Sequence, residues 1–115
     1  MTRAASLIER AAELLRAARQ VVAFSGAGLS TASGIPDYRS PHSGLWEKAD
    51  PYEVASLTAF RHHPERFFNW IKPLAHLIAS AQPNAAHYAL ARLEKAQRLT
   101  TIITQNIDGL HQRAG

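Results

Sequence analysis

Two short apolar runs each open directly into a polar loop, and this constrains the fold more than any other feature of the chain. Gln20-Val21-Val22-Ala23-Phe24 leads into Gly26-Ala27-Gly28-Leu29-Ser30, and Leu99-Thr100-Thr101-Ile102-Ile103-Thr104 leads into Gln105-Asn106-Ile107-Asp108. The first run is almost continuously apolar and β-branched, as expected of a parallel strand covered on both faces. Thr and Ile dominate the second, and both favour pleated over helical backbone. The order helix, strand, glycine loop, helices, strand, polar loop predicts the α/β class, with helices layered on a parallel sheet rather than a bundle.

Helical periodicity fills the remaining segments. Ser6 to Arg19 reads as a helix with Leu7, Ala11, Leu14 and Ala18 on one face, widened by Ile8 and Leu15. Ser6 and Glu9 have the spacing of a capping box, with Thr2 an alternative start one turn earlier. Ser33 to about Pro51 is rich in Ser, Gly, Pro and Asp and reads as a surface loop or lid. Glu53 to Phe60 predicts a short helix. Pro64 to Ala81 predicts a longer one, with Pro64 at its first position and a stripe of Phe67, Ile71, Leu74 and Ile78. Pro73 is expected to kink or split it. Asn84 caps the next helix, with Ala86, Leu90 and Leu93 as its buried side.

The 115 residues, 46% of them apolar, suffice for one modest domain. Thirteen Lys and Arg against nine Asp and Glu give a formal charge of +4. The basic residues are scattered, which favours anionic ligands in general. They do not interleave with aromatic residues, so a specific nucleic-acid platform is not expected. With no cysteine there is neither a disulfide nor a thiolate metal site. No apolar run approaches the length of a membrane span, and no secretory pattern opens the chain, so the expectation is a cytoplasmic protein without membrane partners.

The chemistry concentrates in the two loops. Ligands of open α/β sheets bind beyond the carboxyl ends of the strands, where Gly26 and Gly28 fall. Their missing Cβ atoms permit a tight turn and let backbone amides approach a pyrophosphate, with further donors if Ser30 begins a helix. The usual dinucleotide fingerprint wants a third glycine where this chain has Thr31. Pro36 restrains the following loop. Asp37 and Arg39 read either as a surface ion pair or loop fastening, or as a ribose or loop-ordering carboxylate beside a phosphate-binding guanidinium. Tyr38 either packs or borders a ribose or ring. Gln105, Asn106 and Asp108 are suited to ribose hydroxyls and a carboxamide ring across a crevice; singly, Asn106 could serve a turn and Asp108 a helix cap. His87, midway along its helix, reads as a buried, hydrogen-bonded histidine, and His111 as structural or as part of a pocket floor. His42, His62, His63 and His76 lack ligand spacing.

Together these stretches resemble the sirtuin family of NAD-dependent protein lysine deacylases. The resemblance rests on Gly26 to Ser30, Ser33-Gly34-Ile35-Pro36-Asp37-Tyr38-Arg39, Pro83-Asn84-Ala85-Ala86-His87 and Thr104 to Gly115, in that order. It implies a partial Rossmann-like sheet with flanking helices and a helical insertion module. Residues 1–39 would supply the first helix, strand and NAD-binding loop. Residues 40–81 would supply the cofactor loop and helical module, and 82–115 the helix, strand and nicotinamide-pocket loop.

The same resemblance assigns Gly26, Ala27 and Gly28 to the pyrophosphate and adjacent ribose, and places Pro36, Asp37, Tyr38 and Arg39 in the cofactor loop. Ile35, Asn106, Ile107 and Asp108 would form the nicotinamide pocket, with Asp108 on the carboxamide. Gln105 would approach the nicotinamide ribose, and Ser30 and His87 would support the pocket. The reaction it implies uses NAD and an acylated-lysine protein substrate, releasing nicotinamide and O-acyl-ADP-ribose. Phe68 and Ile71 stand nearest the positions where relatives that remove acidic acyl groups carry Tyr and Arg, so a neutral acyl group such as acetyl is expected. The family's general-base histidine and cysteine-bound zinc module lie beyond the segment that resembles 1–115. The chain alone is therefore expected to lack turnover, and a complementing C-terminal segment to restore it. The rival reading is a non-catalytic NAD- or ADP-ribose-binding module.

Overall fold

The structure is a computed structural model that describes residues 2–115. Helix α1 (Arg3–Ala17) takes the earlier of the two possible starts: Thr2 is extended, and its Oγ1 accepts the Ala5 amide at 3.2 Å. That bond satisfies a first-turn donor, whereas Ser6, inside the helix, donates its hydroxyl back to the Arg3 carbonyl. Strands β1 (Val22–Ser25) and β2 (Thr101–Thr104) pair in parallel, Val22 opposite Thr101 and Ser25 opposite Thr104. The Thr100 amide reaches the Val21 carbonyl and the Gln105 amide the Ser25 carbonyl, extending the pairing past both ends. This register brings the two polar loops out side by side.

The expectation of strands covered on both faces is not met. Phe24 is 73% and Ile103 51% exposed, and α1 buries no residue, although Leu7, Ile8 and Leu14 do form its apolar stripe. Among the described residues the sheet has two strands, and this side of it leaves apolar side chains open to solvent.

Between the strands, the single helix expected over Glu53–Phe60 is two: α2 (Pro51–Val54) and α3 (Leu57–His62). Ser56 is extended between them and accepts the Ala59 amide, so a cap interrupts what would otherwise be continuous helix. Helix α4 (Pro64–Ser80) starts at Pro64 and is not split at Pro73, where the ring sits on an exposed face. The bond Pro73 cannot donate leaves a carbonyl open to water, which is why the helix tolerates it there. Helix α5 (Ala85–Lys95) is capped by Asn84 as expected, but Ala86 is exposed and His87 takes the buried position, in the first turn rather than mid-helix. A short α6 (Leu110–Ala114) follows β2.

Ile35, Leu74, Ala81 and Leu110 form a small core where α4, the glycine-loop segment and α6 meet, with Leu45, Trp70, Ile71 and Ile78 packed on it. Arg113 fastens this junction. Its guanidinium donates to the carbonyls of Ala81 at 2.9 Å, Asp108 at 3.3 Å and Ile78 at 3.5 Å, placing a cation at the carboxyl end of α4. The second polar loop is thereby held against the helical module.

Candidate functional site

Beyond β1 the chain winds into a 3-10 helix, Ala27–Ser33, with Gly26 before it and Gly34 closing it in left-handed backbone. Ser30 therefore lies inside this turn instead of starting a helix. Gly34, at φ 90°, is the position that needs a glycine's backbone freedom; Gly26 is extended. What Gly26 provides is proximity: a Cβ there would stand 2.6 Å from Nε2 of Gln105. At Gly28 a Cβ would meet nothing within 4 Å, so that glycine leaves open space beside the backbone. Leu29 makes the first amide bond of the turn, to Gly26, so the preceding amides of Ala27 and Gly28 remain to donate outward.

Polar bonds lock the two loops together. Asn106 Nδ2 donates to the Gly26 carbonyl at 2.8 Å. Ser30 Oγ donates to Asp108 Oδ2 at 2.6 Å, and Asp108 Oδ1 accepts the Leu110 amide at 3.0 Å. Asp108 thus performs the capping task its sequence position allowed and also joins the loops. A carboxylate has about four acceptor sites, so capacity remains on the cleft side. Asn84 adds a third tie, donating to the Leu29 carbonyl and to Ser33 Oγ while it accepts the Ala86 amide.

Asp37 fastens its own loop. Its carboxylate accepts the backbone amide and the hydroxyl of Ser40, and its carbonyl accepts the Leu45 amide. No Asp37–Arg39 ion pair forms among the described residues; Arg39 projects into solvent at the cleft mouth. Tyr38 packs on Trp46 with ring centroids 5.3 Å apart, and Trp46 packs on Trp70 at 5.4 Å.

These pieces surround one cleft of about 840 Å³, within the size range of small-molecule sites. Gly26, Ala27, Gly28, Ser30, Ile35 and Pro36 line it from the first loop, joined by Asp37, Tyr38 and Arg39. Gln105, Asn106, Ile107 and Asp108 line it from the second, and Ile71, Leu74 and Ile78 of α4 supply an apolar wall. Of the two residues expected at an acyl group, Ile71 lines the cleft and Phe68 does not. The Phe68 ring turns to Phe60 and Phe67, and Phe67 is the cleft-lining one. Sequence reasoning missed Trp46 and Trp70 as cleft walls. Trp46 was detectable as a lone large aromatic in a polar loop, Trp70 as a neighbour of the α4 stripe.

His87 is 1% exposed and lies behind the cleft. Its Nδ1 accepts the Asn84 amide at 3.1 Å. Burial pushes its pKa below 6.5, nearby His111 lowers it further, and Asp108 opposes both. Among the described residues no group of His, Asp and Glu is arranged to hold a metal ion, so these residues do not fit zinc.

Comparison with known proteins agrees with this fold. Residues 26–115 match the Sir2 family. An NAD-dependent protein deacetylase of Saccharolobus solfataricus is 50% identical over 109 residues, covering 95% of this chain and 43% of that protein. NAD-dependent protein deacetylase 2 of Caldanaerobacter subterraneus is 46% identical over 110 residues, covering 96% and 44%. Among solved structures, Sir2 bound to a deacetylated p53 peptide and 3'-O-acetyl ADP-ribose superposes with a TM-score of 0.88 at 42% identity, over 94% of this chain and 43% of that one. A Sir2–p53 peptide–NAD+ complex superposes at 0.80 with the same identity, over 94% and 42%. The chain spans less than half the length of each of these relatives.

Proposed function

The chain belongs to the Sir2 family, and from that premise we propose that the polypeptide carrying it is an NAD-dependent protein lysine deacylase. The observation that supports this most directly is the convergence of both strand-end loops on one cleft whose lining divides into donors, at Ala27, Gly28 and Arg39, and an acceptor, Asp108. A dinucleotide needs that division: donors for its phosphates, acceptors for its carboxamide. The amides of Ala27 and Gly28 and the Arg39 guanidinium face the pyrophosphate. Gln105 takes a ribose hydroxyl. Ile35, Asn106 and Ile107 enclose the nicotinamide, and Asp108 accepts from its carboxamide N–H while Ser30 holds the carboxylate in place.

Bound NAD would supply nicotinamide as the leaving group displaced by the acyl-lysine oxygen, and one water would then be consumed in releasing deacylated lysine and O-acyl-ADP-ribose. The residues of this chain serve mainly to position, orient and exclude water. Tyr38, Trp46 and Trp70 make a stacked apolar wall suited to that exclusion. Ile71 presents no cation to a carboxylate, so the preferred acyl group is neutral, acetyl or longer. The general base is not assigned to any residue of 1–115, and His111, half-buried and outside the cleft lining, does not take that role.

The test is NAD-dependent nicotinamide release from an acetyl-lysine peptide by the full-length polypeptide. We expect turnover, faster on acetyl than on succinyl peptide. Asp108→Asn should lower kcat/KM at least about tenfold, since an acceptor facing a buried donor is lost. Unchanged turnover and unchanged nicotinamide inhibition in that variant would refute the pocket assignment. Tight ADP-ribose binding with no turnover on any acyl peptide would favour a non-catalytic binding module.

A further inference from the structure

Two buried ring nitrogens, Nε2 of His87 and Nδ1 of His111, have no hydrogen-bond partner, and the two rings lie 5.2 Å apart at 70°. Leaving either unmatched is costly. The surrounding bonds dictate where the protons sit. His87 Nδ1 accepts the backbone amide of Asn84, so in the neutral ring the proton is on Nε2. Ser25 Oγ lies 2.7 Å from His111 Nε2 and donates its own hydrogen to Thr104 Oγ1 at 2.8 Å. Thr104 Oγ1 in turn accepts the Asn106 amide and donates toward the Ser25 carbonyl. His111 Nε2 must therefore carry a proton and donate to Ser25, which leaves Nδ1 a lone pair. The opposite allocation would set two buried N–H groups against each other.

We infer that His87 and His111 form a proton-ordered pair, His87 Nε2–H donating to His111 Nδ1 directly or across one water, and that this pair positions the Asp108 loop. The chain of bonds runs Asn84, His87, His111, Ser25, Thr104 with one polarity throughout. It links the first turn of α5 to the first turn of α6 and to the ends of both strands. Leu110, next to His111, donates its amide to Asp108, so displacing α6 displaces the carboxylate. Protonating His111 places a second N–H in the gap, and protonating His87 sets an Nδ1–H against the Asn84 amide; either breaks the chain of bonds. Beside the two rings, the charged groups at this junction are the Asp108 carboxylate ahead of α6, the Arg113 guanidinium, and the Glu94 carboxylate of α5, which lines one pocket with His111. Arg113 is occupied by the carbonyls of Ala81, Ile78 and Asp108. The low pKa of His87 agrees with a ring kept neutral.

The proton order is tested on the full-length polypeptide labelled with 15N-histidine, by long-range 1H–15N correlations from about pH 8 to about pH 5.5. We expect both rings as Nε2–H tautomers at the upper end of that range, with His87 holding its neutral form below the pH at which a free imidazole takes up a proton. An Nδ1–H tautomer of His111, or protonation of His87 at the pH of a free imidazole, would overturn the pair. The positioning role rests on the proposed nicotinamide pocket and is read separately. His111→Gln keeps a donor for Ser25 and loses the Nδ1 acceptor; His111→Asn does the converse. We expect His111→Gln to weaken nicotinamide inhibition on the order of tenfold with the KM for acyl peptide unchanged. A uniform loss across all kinetic constants, or no loss, would overturn the positioning role. Absence of nicotinamide inhibition in the unsubstituted protein would overturn the pocket reading, while the tautomers would still decide the pair.

Discussion

A methyl group added at Gly44 would stand 2.7 Å from both the Tyr38 carbonyl and the Ser40 amide. Those are backbone atoms, held by the bonds from Leu45 to Asp37 and from Trp46 to Tyr38, and cannot swing aside. Gly44→Ala should therefore destabilise the protein by about 1–3 kcal/mol, read as a lower denaturant midpoint with unchanged m-value. Gly28→Ala is the contrasting case. With nothing within 4 Å of its Cβ position, it should leave the midpoint within about 0.5 kcal/mol. It should nevertheless weaken ADP-ribose binding in calorimetry, because the methyl group occupies the space a pyrophosphate would enter. Equal stability losses at the two glycines would refute this distinction. The sequence reveals Gly28 because it sits directly after a strand, where ligands bind. It conceals Gly44, whose constraint comes from two loop backbones that meet only in the folded chain. Asp37 shows the same limit: both of its readings were open, and only the fold engages its carboxylate with Ser40 instead of Arg39.

At the scale of elements, the amino end of α5 is where local signal and tertiary structure coincide. Asn84 is recognisable as a cap from its place before an apolar periodic run, and the structure adds its bonds to Leu29 and Ser33. An ordinary cap contributes about 1 kcal/mol; with the two further donations, Asn84→Ala should cost about 2–3 kcal/mol. Asn84→Asp keeps the cap but not the donors and should fall between, as measured by urea unfolding. Three residues on, His87 gives this helix end a pH dependence. Its folded pKa is lowered from 6.5, so below that pH the unfolded chain binds a proton that the folded chain refuses. Stability is full above about pH 6.5 and declines as pH falls toward the folded pKa. His87→Gln should flatten that part of the curve, and an unaltered slope would show that another group carries it. Helix α4 shows the opposite balance of local and tertiary terms: of the kink or split expected at Pro73, the split does not occur, and packing of Leu74, Ile71 and Ile78 keeps one continuous helix.

Across the whole molecule, what the sequence conveys least is which surfaces stay open. Strand identity, direction and order are readable because β-branched runs and an intervening helical crossover leave few topologies. Coverage is not, since it depends on whatever layer meets the sheet. The radius of gyration is 17.5 Å, against about 13 Å for a compact domain of this length. The excess matches α1 standing away from the core and the open face carrying Val22, Phe24 and Ile103. The bound Sir2 structures that superpose on this chain are more than twice its length, so in a full-length relative further chain is available to cover such a face. The 115-residue polypeptide by itself should instead bury these residues against copies of itself. Sedimentation equilibrium should give a mass rising with concentration above 12.6 kDa. The double variant Phe24→Ser, Ile103→Thr should shift that curve toward the monomer, because neither side chain lines the cleft or joins the buried core. Its ADP-ribose affinity should match that of the unsubstituted chain if the cleft forms at all in the fragment. A strictly monomeric unsubstituted chain with cooperative unfolding would mean that the small junction of α4, α6 and the glycine loop sustains the fold without any cover on the sheet.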